Sequence, residues 1–452
     1  MSTRFTFPVV GPPSTVTFPP VSRTTLANGL RVWSVAHAAV PVVSCALVLE
    51  GGTAADPSDR PGLSSLVSSL TTEGAGSRDS IAMADALARL GAHLDVQAGA
   101  DTTTVVLSTV SRHFADALAL LSDVVRRPSL AEADFARVRE LRLSRLRQAS
   151  RVAGTMADRA FVAAVFGDHP YGHGSLGTTR AIEAITLDEV RAFWRNSWAP
   201  TRAALLVASD LDTASVEAVV QRVFGDWVVP APDKSASATA PAAPPDRRVI
   251  AVHRPGAAQA ELRVGHLGPS RRTADYHALV TLNALLGGQF TSRINRNLRE
   301  TRAITYGART AFDMRRDSGA FSCDTSVQAD SAAIAVTEIL NEFRGVTTPG
   351  AISADELEQA CASLTRGYVR HFETASHLVR ALVELVSYGL DADTFDRFVP
   401  AVSRLTTADL TRAAEASIRP DDCAIVVVAD LDVHRAALDA LGREVVVTEV
   451  EF

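Results

Sequence analysis

The stretch Ile185–Asp212, "ITLDEVRAFWRNSWAPTRAALLVASDLD", returns without a gap at Leu405–Asp432 as "LTTADLTRAAEASIRPDDCAIVVVADLD", at a constant offset of 220 residues. Thr186 meets Thr406, Pro200 meets Pro420, Ala204 meets Ala424, and Asp210-Leu211-Asp212 meets Asp430-Leu431-Asp432. Each copy reads as a helix, a turn with proline, an apolar strand, and an Asp-rich turn that opens another helix. A repeat of such long period predicts two copies of one architecture.

A second, weaker match supports the duplication. "ALALLSDVVRRPSLAEADFARVRELRLSRL" pairs with "AVTEILNEFRGVTTPGAISADELEQACASL", each a helix, a Pro-bearing loop and a helix that begins near an acidic N-cap. Between the copies, "PAPDKSASATAPAAPPDRR" at Pro230–Arg248 replaces apolar periodicity with Pro, Ala and Ser and reads as a linker. The chain therefore divides into an N-terminal extension (1–23), an N-terminal unit (24–229), the linker (230–248) and a C-terminal unit (249–452).

Strand candidates fall at Leu30–Val35, Val42–Glu50, Thr102–Thr109, Ala203–Ala208, Val249–Val252, Leu262–Leu267, Ala320–Ser326 and Cys423–Ala429. Turns or pairs of helices separate them, not single crossover helices. The expected class is α+β: two homologous halves, each a largely antiparallel sheet packed by helices.

The 452 residues are 47% hydrophobic and 21% charged, enough for a large core. A net charge of −6 without any basic run argues against nucleic-acid binding. Cys45, Cys323, Cys361 and Cys423 are far apart and form no C-x-x-C pair, so free thiols in a reducing compartment are expected. The start, "MSTRFTFPVVGPPSTVTFPP", lacks the basic and continuous apolar regions of a signal peptide. No apolar run reaches membrane-spanning length, and the chain reads as soluble and cytoplasmic.

Three segments carry a family resemblance: "LANGLRVWSV" (26–35), "PVVSCALVLEGGTAAD" (41–56) and "RPGLSSLVSSL" (60–70). From about Thr24 to about Leu441 the chain resembles the M16 (pitrilysin or insulinase-like) zinc peptidases, in particular the two-chain M16B branch related to mitochondrial processing peptidase. The resemblance implies the LuxS/MPP-like metallohydrolase fold. Active members carry H-x-x-E-H directly after the Gly-Leu pair: two His four apart share a helical face and grip Zn²⁺, and the Glu serves as base. Here the His positions fall at Ser65 and Ser69 and the Glu at Ser68. The family's further Glu ligand, placed by spacing, falls at or beside Arg145. Hydroxyls are poor zinc ligands, and an arginine repels a dication, so no metal is expected in this chain. In "HPYGH", Pro170 and Gly172 break the helix that would bring His169 and His173 onto one ion.

"LLGGQFTSRINRNLRETRAITYGART" (285–310) is the segment most like its counterpart in the family. It reads as a Gly-Gly turn, a helix ending near Glu300, a loop and a strand. In the two-chain branch, the chain without zinc ligands carries an Arg and, seven residues later, a Tyr; the matching residues are Arg299 and Tyr306. Together they can donate hydrogen bonds to substrate or to the oxyanion that forms at a zinc centre. Arg293, Arg296 and Arg302 read as a solvated face or as contacts to an acidic partner.

The resemblance thus implies a non-catalytic subunit of a heterodimeric zinc endopeptidase. A sister chain with H-x-x-E-H would hold the zinc, and this chain would supply Arg299, Tyr306 and half of a peptide-binding chamber. The alternative is an inactive structural or peptide-binding protein of the core-subunit type. A self-sufficient hydrolase has no support, because no G-x-S-x-G elbow or Cys/His nucleophile pair is present.

Overall fold

The computed structural model describes residues 11–13, 15–229 and 247–452. Most of the Pro/Ala-rich linker (230–246) and residues 1–10 and 14 of the N-terminal extension lie outside the described residues.

Two six-stranded sheets dominate. The first contains β1 (Ser22–Thr25), β2 (Arg31–Ala36), β3 (Val42–Glu50), β4 (His93–Ala98), β5 (Thr102–Val110) and β6 (Ala203–Ser209), in the order β1-β2-β6-β3-β5-β4. The second contains β7 (Val249–His253), β8 (Gln259–Gly268), β9 (Thr305–Met314), β10 (Gly319–Gln328), β11 (Ala424–Ala429) and β12 (Val445–Val447), in the order β9-β10-β8-β11-β7-β12. Five strands correspond: β2-β6-β3-β5-β4 repeats as β7-β11-β8-β10-β9. Pairing is antiparallel except at β2–β6, β7–β11 and β7–β12. The repeated sequence forms the same elements twice. Thr186 and Thr406 each close a capping box, with Glu189 and Asp409 respectively, and the strands that follow, β6 and β11, are the central strands.

The central strands explain how the halves join. All seven residues of β6 and all six of β11 are buried. Strand side chains alternate between faces, so such runs need cover on both sides. On one face of the first sheet, Leu47, Leu205 and Val207 meet that half's own helices through Leu66, Leu70, Leu118 and Leu121. On the other face, Ala46, Val48, Ala204 and Leu206 meet Leu378, Leu382 and Leu385 of helix Ala375–Tyr388, which belongs to the second half. The exchange is reciprocal. Helix Ala153–Phe166 of the first half lays Ala157, Phe161 and Val165 on Ile250, Val252, Val426 and Val428 of the second sheet.

Each half is the expected largely antiparallel sheet packed by helices, and one helix from each half lies on the other half's sheet. Polar contacts reinforce the exchange: buried Arg263 of β8 donates from Nε to Asp158 Oδ1 (2.7 Å) and from Nη2 to the Gly154 carbonyl (3.3 Å) on the exchanged helix. The presumed extension also takes part. Phe18 is buried between Phe372 and Phe395 of the second half, and β1 straddles the boundary drawn after residue 23.

All four tryptophans (Trp33, Trp194, Trp198, Trp227) lie in the first half, three of them away from the shared core against which Trp33 packs, so their fluorescence follows the unfolding of that half. Leu382→Ala, a fully buried truncation in the second half's exchanged helix, should cost about 2–5 kcal/mol. Urea unfolding followed by tryptophan emission should show that loss in one cooperative transition. An unshifted tryptophan transition would contradict the exchange.

Candidate functional site

The serine-rich helix Leu63–Thr71 turns Leu63, Leu66, Val67 and Leu70 into the core. Its start is fixed by Gly62, whose φ of +94° suits only glycine; a Cβ there would come within 2.8 Å of the Gly177 backbone. Asp56 caps the exposed amides, its Oδ2 accepting from Gly62 N and its Oδ1 from Ser64 N, each at 2.7 Å. Burial pushes the Asp56 carboxyl up from its ordinary value, while these amide donors pull it back.

Ser64 and Ser68 are buried, and Ser65 and Ser69 are half-buried. Ser68 Oγ donates to the Ser64 carbonyl (2.9 Å) and Ser69 Oγ to the Ser65 carbonyl (3.0 Å), each one helical turn back. Across them lies Arg142, 3% exposed, from helix Glu132–Ala149. Its Nη1 donates to Ser65 Oγ (2.9 Å) and the Ser175 carbonyl (3.3 Å). Its Nη2 donates to Ser69 Oγ (2.9 Å) and the Ser65 carbonyl (3.1 Å). Burial, with Arg145 adding to it, pushes the guanidinium down to about 10, so it remains charged at neutral pH.

Arg145 is exposed and takes no part in the cluster; Arg142, one turn earlier, is the residue that reaches Ser65 and Ser69. The signal was present in the helix pattern. Phe135, Val138, Arg142 and Leu146 form its buried stripe, and an arginine within an apolar stripe marks an inward-facing charge.

Zinc does not fit this donor set. Two of the three hydroxyls are committed to helix carbonyls, and the space between Ser65 and Ser69 is bridged by a cation. His169 Nδ1 accepts from Tyr171 N (3.0 Å), which occupies that ring in its own turn, and His173 lies beside the Gly174 carbonyl. Among the described residues one group of three metal-capable side chains converges, His253, Asp430 and Asp432. Its atoms serve the start of helix Leu431–Asp439: Asp430 accepts from Asp432 N and His253 Nδ1 from Leu431 N. The four cysteines are free, three of them buried.

In the second half, Gly287 lies so close to Thr310 that a Cβ would come within 2.5 Å of its hydroxyl. Beyond this turn the expected single helix is broken into wide π-helical turns at Ala284–Gly288 and Arg296–Thr301, flanking one short α-turn at Arg293–Asn295. Arg299 Nη2 donates to Glu300 (2.8 Å), and the guanidinium carbon stacks 3.4 Å from the centre of the Phe290 ring, which is itself 72% exposed. Arg299 Nη1 is buried without a hydrogen-bond partner among the described residues. Tyr306 is 98% exposed, thrown outward where the β9–β10 register shifts between Thr305 and Ala308.

Two residues that the sequence reading did not single out organise this patch. Buried Asn295 donates from Nδ2 to the Gln289 carbonyl (2.9 Å) and accepts at Oδ1 from Ala308 N (2.9 Å). It thus ties the turn bearing Phe290 to the bulge bearing Tyr306. Phe290 covers Arg299. Arg293, Arg296 and Arg302 do not form a free basic face: the first two pair with Glu356 and the third with Glu338. Against the cost of burial, Arg293 and the Ser353 cap hold the Glu356 carboxyl down at about 2.

A cavity of about 880 Å³ opens between the halves, with Asp101, His173 and Ser175 on one side and Arg271, Glu384 and Tyr388 on the other. No helix among the described residues is long and apolar enough to cross a membrane.

Duplicated α+β halves, exchanged helices and a serine–arginine cluster between two helices define the architecture. Residues 31–179 match the model of the insulinase (M16) peptidase family and residues 184–364 that of the M16 inactive domain. Together the matches span more than half of the chain, which belongs to the M16 peptidase family. An uncharacterized zinc protease of Mycobacterium leprae is 25% identical over 360 residues, covering 79% of this chain and 80% of its own. One from Streptomyces coelicolor is 22% identical over 434 residues, covering 94% and 88%. Among solved structures, an M16 inactive domain from Pseudomonas fluorescens superposes with a TM-score of 0.84 at 24% identity, covering 91% of this chain and 98% of that one. A protease from Helicobacter pylori superposes with a TM-score of 0.85 at 19% identity, covering 91% and 99%.

Arg142→Lys keeps the charge but cannot span both serines, and should cost about 1–3 kcal/mol in chemical denaturation. Arg145→Lys should change stability by about 0.5 kcal/mol or less. Equal effects would contradict the assignment.

Proposed function

We propose that this chain is the non-catalytic subunit of a heterodimeric M16B metalloendopeptidase. The observation that carries the reading is Arg142, bridging Ser65 and Ser69 where an active member would need metal-binding imidazoles. A chain so built needs its zinc supplied by a sister subunit with H-x-x-E-H. This chain offers Arg299 and Tyr306 in return. The guanidinium keeps one unpaired nitrogen and the phenol stands clear of the surface. Both are donors suited to a peptide carbonyl oxygen as it gains negative charge. The bulge held by Asn295 fixes Tyr306 on an edge strand, where an extended peptide could also pair through its backbone.

Co-production with an M16 chain carrying H-x-x-E-H tests the reading. Two individually inactive chains should co-purify as a pair whose peptide hydrolysis is abolished by chelator. Arg299→Ala should lower kcat/KM by about 100-fold and Tyr306→Phe by about 10-fold, with the pair intact by gel filtration. Unchanged turnover in both variants would remove the roles of Arg299 and Tyr306. A chain that ignores every such partner would favour the structural, core-subunit reading.

A further inference from the structure

Two arms of the chain cross between the halves in opposite directions, and they are held differently. Phe18 of the first half is 5% exposed, wedged between Phe372 and Phe395 with its amide donating to Asp396 Oδ1 (2.6 Å), and belongs to the core. Residues 448–452, "TEVEF", leave the second sheet after β12, where Thr448 N donates to the Ala251 carbonyl (3.0 Å), and run to the first half. Thr448, Val450 and Phe452 are half-buried while Glu449 and Glu451 are exposed, the alternation of an extended segment laid on a surface.

The seat of this segment is built from fixed donors. Arg159 of helix Ala153–Phe166 donates from Nε to the Glu451 carbonyl (3.0 Å), and Thr179 N donates to the Phe452 carbonyl (2.7 Å). The Arg159 guanidinium carbon lies 4.7 Å from the centre of the Phe452 ring, and Arg159 Nη2 donates to the Gly177 carbonyl, which holds the guanidinium in place. Burial pushes this guanidinium down from its ordinary value, and Glu451 acts against that shift. Donors aimed at two successive carbonyls beside a bound ring recognise peptide backbone and one aromatic side chain. The segment also walls a cavity of about 1960 Å³, which Asp56, Arg60 and Glu189 line from the first half and Ile250 and Arg316 from the second. Two carbonyl bonds and a half-buried ring oppose the entropy of ordering five residues, so the contact is reversible.

We propose that Arg159, Gly177 and Thr179 form a binding seat for an extended peptide segment with an aromatic residue, and that residues 448–452 occupy it in cis as a displaceable wall of the cavity. Covalent attachment gives the segment an effective concentration of about millimolar. A peptide in trans therefore gains the seat only when the segment is released, and release opens the cavity on that side. The seat requires neither a sister subunit nor hydrolysis, so its failure would leave the reading above untouched.

The test compares the full chain with one ending at Val447, using fluorescein-labelled TEVEF-amide as the probe and anisotropy as the readout. The shortened chain should bind the probe about 10-fold more tightly than the full chain, or better. Alanine in place of the probe's phenylalanine, or Arg159→Ala in the shortened chain, should weaken that binding about 10-fold. Equal binding to both chains, binding to neither, or indifference to both the ring and Arg159 overturns the proposal. Should the shortened chain lose its cooperative tryptophan unfolding transition, Phe452→Ala in the full chain replaces it. The probe should then bind more tightly than to the unaltered chain, and equal affinity overturns the proposal.

Discussion

The structure depends on the exchange of one helix between its halves. Each sheet has a central strand with apolar side chains on both faces, and each half's own helices cover only one of them. The second face is closed by helix Ala375–Tyr388 in one direction and helix Ala153–Phe166 in the other. Exposing either face would leave a row of Val, Leu and Ala side chains in water, at about 25 cal/mol per Å² of apolar surface. Neither half can therefore be treated as a free-standing domain. The cavity between them is shaped by elements that cannot separate without unfolding.

Within this frame, helix Leu63–Thr71 and helix Glu132–Ala149 are joined through the serines and Arg142. Helix Leu63–Thr71 still packs its leucines on the sheet, and Gly62, Gly177 and Asp56 still fix its start. The inward polar face, however, consists of serines turned back on helix carbonyls and bridged by one guanidinium. In this cluster the hydroxyls of Ser68 and Ser69 donate to helix carbonyls, and both terminal nitrogens of Arg142 donate to oxygen acceptors. It tethers two helices and the loop at Ser175, and leaves no open coordination position.

The second half shows the opposite investment. Its polar groups around residues 289–308 hold irregular backbone in place, in π-helical turns and a bulge, where a regular helix and strand would cost less. Asn295 and Thr305 bind the backbone of the turn and the bulge, and the result is an aromatic–guanidinium stack and a phenol directed away from the core. Irregular backbone maintained by several buried polar contacts is characteristic of sites that present side chains to another molecule.

The sequence by itself determined the duplication, the α+β class and the central strands, because a gap-free repeat and unbroken apolar runs are local properties that any fold must accommodate. It also determined that positions 65, 68 and 69 are serines. Edge strands were harder to see. β1 and β4 carry polar or alternating residues, "SRTT" and "HLDVQA", since one side faces water, and β12 is only three residues long. Only the tertiary structure decided which helix covers which sheet: an apolar stripe records that it is buried, not what buries it. For the same reason only the fold distinguished Arg142 from Arg145. Their separation in sequence is three residues, but one lies on the buried stripe beside the serines and the other is exposed.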